Sequence, residues 1–100
     1  MKRNYAVVWS RNGDTRAGRL EPFPDRFELH GRERRLAVPF AEVTAASIAR
    51  RPAERLLGLP VLALVVRDGP PLRIASLEGP GYLQELADRV EQSGRHVAAA

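Results

Sequence analysis

The sequence predicts a mainly β domain that is closed by a C-terminal helix, and three observations lead to that prediction. An Asn12-Gly13 pair stands between two strand-like runs, and apolar and polar residues alternate through much of the chain. Near the C-terminus, apolar residues instead recur every three or four positions. Period-two alternation is typical of half-buried strands, whereas spacing at i, i+3, i+4 and i+7 is typical of an amphipathic helix.

Length and composition limit the classes of protein to consider. The 100 residues suit one domain, and 44% apolar with 28% charged residues is a globular balance. Sixteen basic against twelve acidic side chains give a net charge of +4, and only one of the sixteen is lysine. Because the chain has no cysteine, disulfides, thiolate metal ligands and a cysteine nucleophile are excluded. We expect one domain over residues 1–94 and a disordered tail over residues 95–100.

The Asn12-Gly13 pair predicts a β-hairpin with a two-residue turn, since both turn residues need a positive φ. Such a turn pairs Arg11 with Asp14 and Trp9 with Arg16. The first pair brings opposite charges together, and the second places a guanidinium beside an indole, so both cross-strand pairs are favourable.

Two further strands are predicted before the middle of the chain. Residues 26–30 alternate, with Phe27 and Leu29 on one face and polar side chains on the other. Residues 31–33 form the turn, and residues 34–38 return with apolar side chains on the matching face. This alternation indicates a sheet with one wet side.

The stretch over residues 40–51 is compatible with two structures. Its alanines and its apolar residues at helical spacing favour an amphipathic helix, while Thr44, Ala46 and Ile48 lie on one face if it is a strand. Residues 52–58 then form either a short helical turn or a loop.

The last third of the chain predicts two strands and a helix. Residues 61–66 and 72–77 are rich in aliphatic side chains and are separated by the turn residues 68–71. Residues 82–92 form an amphipathic helix that ends at Ser93-Gly94. Its apolar stripe is Leu83, Leu86, Ala87 and Val90.

The order of these elements resembles the pleckstrin-homology-like superfold, in particular its GRAM-like and bacterial small domains. The resemblance lies in the passages 25–31, 36–43, 64–69 and 72–76, which are similar to the strand-turn-strand patterns of that superfold. It implies a seven-stranded antiparallel barrel of two near-orthogonal sheets with a C-terminal capping helix. It also implies that residues 43–50 form a strand rather than a helix.

Catalysis is not expected from this sequence. The two histidines, His30 and His96, lie on a wet strand face and in the tail, and the carboxylates are scattered along the chain. No serine has the surroundings of a nucleophile elbow. We therefore expect no catalytic residues, no metal site and no cofactor.

The arginines of the first hairpin are candidates for binding an anion or a lipid. The resemblance implies this role, because lipid-binding members of the superfold place basic residues on their first two strands. Arg16 and Arg19 are three positions apart, however, and fall on opposite faces of a strand. A second cluster at residues 32–35 is mixed with glutamates and has no stacking aromatics, so nucleic-acid binding is not expected. The candidate residues are Arg3, Arg11, Arg16 and Arg19.

The strand over residues 61–66 is apolar on both faces, although only one face of a small barrel points inward. An exposed apolar patch indicates a partner surface. The alternative is that residues 52–58 fold back and cover it. The principal hypothesis is thus a non-catalytic interaction module that binds a protein partner or itself as a homo-oligomer. Peripheral binding to an anionic membrane is the second. The candidate interaction residues are Leu57, Leu59, Val61, Ala63 and Val65.

The apolar runs of the sequence are too short to cross a membrane. Residues 5–9 are too few for the core of a signal peptide, and the longest apolar stretch, residues 56–66, falls well below the roughly 20 residues that a span needs. We expect a cytoplasmic protein, at the membrane only through peripheral contact.

Overall fold

The described part of the chain contains seven strands, two short 3₁₀ turns and one helix. The computed structural model describes residues 4–32, 34–79 and 81–99, with side chains up to Gln92. The 3₁₀ turns are Phe40–Glu42 and Pro52–Glu54. The strands are β1 Tyr5–Arg11, β2 Asp14–Pro22, β3 Arg26–His30, β4 Arg35–Pro39, β5 Val43–Ala49, β6 Val61–Val66 and β7 Leu72–Ser76, and the helix is α1 Gly81–Ala99.

The seven strands form one antiparallel sheet in the order β4-β3-β2-β1-β7-β6-β5. Strand β1 lies at its centre and pairs with β2 on one side and β7 on the other. The mainly β fold and the C-terminal helix are confirmed. The predicted division into two near-orthogonal sheets is not shown. Because β1 pairs with both β2 and β7, all seven strands belong to one hydrogen-bonded sheet.

The first hairpin has the predicted register. Trp9 pairs with Arg16, and Arg11 pairs with Asp14 across the turn. The turn residues Asn12 and Gly13 have φ of 56° and 81°. These are the positive values that the two-residue turn requires, and asparagine and glycine adopt them at the lowest steric cost.

Residues 43–49 form strand β5, as the resemblance implied, and not the helix that local spacing also allowed. Strand β5 pairs with β6 over most of its length, with Ile48 opposite Leu62. This pairing places Ile48 against the apolar core. Contacts distant in sequence therefore override the helical preference of the alanines.

One core fills the concave side of the sheet. Apolar side chains from both halves of the sheet belong to the same cluster, which shows that the sheet curls into a half-barrel. Helix α1 contributes its predicted stripe to this cluster. The principal members are Phe27, Leu29, Leu62, Leu64, Ile74, Leu83, Leu86 and Val90.

Helix α1 is longer than predicted. Its backbone continues to Ala99, so the predicted end at Ser93-Gly94 is wrong. A single glycine inside a helix costs about 1 kcal/mol, and the alanines that follow favour a helix. Since no side chain beyond Gln92 is described, the domain boundary at residue 94 stays a prediction.

Among the described residues, no helix is both long enough and apolar enough to cross a bilayer.

Candidate functional site

Three turns meet at one end of the half-barrel. Strands β1 to β4 alternate in direction, so the β1–β2 turn and the β3–β4 turn lie at the same end. Strand β7 runs antiparallel to β1, with Leu72 opposite Arg11, and this pairing brings the β6–β7 turn to that end as well. Side chains that are far apart in the sequence thereby surround one opening.

A cavity of about 760 Å³ lies at this opening. Four arginines line it, two from the first hairpin, one from the β3–β4 turn and one from the start of β4. Among the residues that the structure describes, Asp14 is the one acidic residue in the lining. Cavities of this size suit a small ligand or part of a larger one. The lining residues are Trp9, Arg11, Asn12, Asp14, Arg16, Arg34, Arg35, Leu36 and Pro70.

The described residues of the lining carry an excess of positive charge. Asp14 is engaged with a neighbour, since its Oδ2 lies 2.7 Å from Arg16 Nη2 and accepts a hydrogen bond from Nε at 3.0 Å. Arg11 and Arg34 are exposed at the rim. Guanidinium groups match the planar geometry of carboxylates and phosphates, so this arrangement can hold an anionic group.

The structure divides the predicted anion-binding residues. Arg11 and Arg16 line the cavity, but Arg19 lies on the opposite face of β2, where its Nη1 donates to Asn4 Oδ1 at 2.7 Å. Because successive side chains of a strand point to opposite faces, Arg19 does not line this cavity. Arg3 lies outside the described residues.

Sequence reasoning missed Arg34 and Arg35 as members of this site. The sequence assigns them to a separate cluster of mixed charge, because Glu28 and Glu33 are close to them in the chain. The antiparallel order of β1 to β4 predicts that the β1–β2 and β3–β4 turns lie at the same end of the sheet. That order is the feature from which the proximity of Arg34 and Arg35 to Arg11 and Arg16 could have been predicted.

The predicted apolar surface is only partly exposed. Leu57 is 75% exposed and Val65 is 50% exposed, whereas Val61 is fully buried. Val61 is therefore wrong as a surface residue. Leu59 and Ala63 are half-buried.

The burial of Val61 has a topological reason. It pairs with Ala49 on β5 and lies outside the main core cluster, on the convex face of the sheet. Arg73 of β7 also points to that face, and its Nη2 donates to the carbonyl oxygen of Glu54. These contacts indicate that the segment after β5 folds back over the convex face, the alternative that the sequence analysis left open.

Three potential metal ligands also lie together on the convex face. Glu21 pairs with Glu28 across β2 and β3, and potential ligand atoms of these residues and of His30 all lie within 4.8 Å of one another. The expectation of scattered carboxylates is therefore wrong, because the β2–β3 register brings them together.

The buried member of this cluster, Glu28, is already paired with an arginine. Glu28 is buried, and its Oε2 accepts from Arg26 Nε at 3.0 Å while its Oε1 lies 3.1 Å from His30 Nε2. Burial raises the pKa of Glu28, but the hydrogen bond and charge of Arg26, helped by Arg35, outweigh it and the net pKa is lowered. Because Arg26 and His30 already contact both carboxylate oxygens of Glu28, the cluster is better explained as a partly buried ion pair than as a metal site.

These features define a small β-barrel-like domain, a curled antiparallel sheet of seven strands with one C-terminal helix. No protein-family model and no curated protein matches the chain. Among solved structures it is similar to the crystal structure of the C-terminal domain of an unknown protein from Leishmania infantum, with a TM-score of 0.67 and 9% sequence identity. The match covers 87% of this chain and 80% of that one. At this identity the likeness concerns the fold alone.

Proposed function

We propose that this chain is a non-catalytic binding module that holds an anionic group in its arginine-lined cavity. The observation that supports the proposal is the convergence of arginines from two separate hairpins on one opening, where Asp14 is the one acidic group among the described lining residues. A solvated arginine surface would not require such convergence.

We also propose that the fold belongs to the pleckstrin-homology-like superfold. The number of strands, the strand order and the terminal helix packed against β5 support this assignment. The anionic headgroups of a membrane surface are then the first source of ligand to test, because the cavity lies at an open end formed by turns and can meet a surface directly.

Replacing Arg16 and Arg34 together with alanine is expected to weaken binding to vesicles that contain anionic lipid. Each basic residue near such a surface contributes about 1 kcal/mol. The double variant should therefore lose about 2 kcal/mol, or about 30-fold in affinity. Vesicle sedimentation at near-physiological salt measures this loss.

A matched control is the double replacement of Arg19 and Arg50 with alanine. It lowers the net charge equally, but neither residue lines the cavity. Binding by this control should stay within a few-fold of wild type, and binding by wild type should be lost at about 0.5 M salt, where charges are screened beyond a few ångströms. Equal losses in the two double variants would show that only net charge matters, and the proposal would then be wrong.

Self-association is a second candidate function, and the exposure of Leu57 and Val65 favours it. Replacing both residues with lysine should convert an oligomer into a monomer in light scattering coupled to size-exclusion chromatography, because apolar contacts do not tolerate unpaired charges. The charge-matched control replaces Leu77 and Ala41, which are also exposed. A wild-type protein that is monomeric at every concentration tested would remove this candidate.

A further inference from the structure

A second cavity runs along the free edge of β4. It has a volume of about 200 Å³ and lies between β4 and the β6–β7 turn. Arg11, Leu36 and Pro70 line both this cavity and the arginine-lined cavity, so the two are neighbours. The half-barrel is open along this line, because β4 is the last strand at its end of the sheet.

Backbone groups of β4 form one wall of this second cavity. Four consecutive residues, 36–39, line it, whereas a wall made of one strand face would be lined by alternate residues. The opposite wall is also consecutive, over residues 66–70. The cavity is therefore a slot between two stretches of main chain.

The hydrogen bonds around β4 show which of its groups point into the slot. Gly31 N–H donates to the Arg34 carbonyl at 2.7 Å, and Phe40 N–H donates to the Asp25 carbonyl at 3.0 Å. In an antiparallel ladder every second residue bonds to the same neighbour, so the even-numbered residues of β4 bond to β3. The N–H and C=O groups of Arg35 and Ala37 consequently point away from β3.

We propose that this slot accepts an extended acidic segment of another protein, which adds to β4 as an eighth strand. The inference rests on the proposed function, because the acidic side chain of the segment occupies the arginine-lined cavity. The free N–H and C=O groups supply the main-chain hydrogen bonds of strand addition. Apolar side chains at alternate positions of the segment then face Leu36, Val38 and Leu72, which belong to the core side of the sheet.

The slot itself is lined by two arginines and by the acidic residues Glu42 and Asp68, so the charge that selects an acidic group is that of the neighbouring arginine-lined cavity. The geometry of the slot selects an extended main chain. A second copy of the chain is disfavoured at this edge, since each copy has a net charge of +4 and β4 itself begins with an arginine. A lipid headgroup satisfies the arginines but leaves the backbone groups of β4 without partners. An extended acidic peptide satisfies both.

The first test selects binders from a displayed library of random peptides of about ten residues, longer than a typical strand. We expect enriched peptides with acidic residues at one end and alternating apolar residues after them. Amide hydrogen exchange of the labelled protein is then measured by NMR with a synthetic copy of one enriched peptide. At about ten times the Kd, exchange at Arg35 and Ala37 should slow about tenfold. Leu36 and Val38, already bonded to β3, should change little.

Two variants at one position provide the control. Replacing Ala37 with proline removes an N–H that points into the slot and should weaken peptide binding about tenfold or more. Replacing Ala37 with valine keeps that N–H and should preserve binding. If the proline variant does not fold, the alternating exchange pattern in the wild-type protein still decides the question.

The outcomes separate this inference from the proposed function. Vesicle binding without any enriched peptide would overturn the strand addition and leave the anion site standing. Enriched peptides without acidic residues, or exchange at Ala37 that peptide does not slow, would also overturn it. Loss of peptide binding in the Arg16 and Arg34 double variant, together with protection at Ala37, would support both.

Discussion

Replacing Leu86 with alanine is expected to lower the free energy of unfolding by about 2–5 kcal/mol. Leu86 is fully buried at the centre of the apolar stripe of α1, and it belongs to the same cluster as Phe27 and Leu62. Its removal leaves a cavity between the helix and the sheet. The sheet cannot collapse into that space without breaking the register of its strands. Urea unfolding followed by circular dichroism measures the change.

Leu77 offers the matched control for Leu86. The same atoms are removed when Leu77 becomes alanine, but Leu77 is 50% exposed and follows the end of β7. We expect a loss within about 0.5 kcal/mol, as for most surface substitutions. A loss at Leu86 no larger than that at Leu77 would mean that α1 does not close the core.

Replacing Gly18 with alanine is expected to destabilise the fold by about 3 kcal/mol, the upper end of the overpacking range. An alanine Cβ at position 18 would lie far inside the contact distance of the His30 carbonyl oxygen and 3.0 Å from Trp9 Cη2. The first of these atoms belongs to the backbone of β3, so it can move only if β2 and β3 separate. Thermal unfolding of the variant tests this expectation.

Gly81 provides the control, because the same substitution there should act in the opposite direction. It lies at the start of α1, and a Cβ added to it meets nothing within 4 Å. Alanine is the better helix former, so replacing Gly81 should leave the stability unchanged or raise it by up to about 1 kcal/mol. Equal effects at the two glycines would contradict the close approach of β2, β3 and Trp9.

Local chemistry accounts for the elements that could be predicted from the sequence. The Asn12-Gly13 turn fixes the register of β1 and β2. The alternation of apolar and polar residues identifies β3 and β4 and shows which side chains share a face of each strand. Strand β5 is different, because its local spacing also suits a helix. Only its pairing with β6 decides between them, and that pairing depends on residues that are distant in the sequence.

The candidate site was harder to predict because it depends on topology. Arg11 and Arg16 could be found from the hairpin, but Arg34 and Arg35 join them only when β4 is placed at the edge of the sheet. Val61 was misjudged for a related reason. Alternation correctly assigned it to the convex face, but alternation does not show which segment lies over that face.

The central position of β1 has a consequence for folding. One side of β1 pairs with β2, its immediate neighbour in sequence, and this hairpin can form early at little entropic cost. The other side of β1 pairs with β7, with Val8 opposite Ala75. This pairing joins residues from the two ends of the sheet-forming sequence, so it can form only late. Such non-local pairing makes folding slow. Until β7 arrives, β1 is an open edge, and the partly folded chain is most prone to aggregate at the strand that later lies at the centre of the sheet.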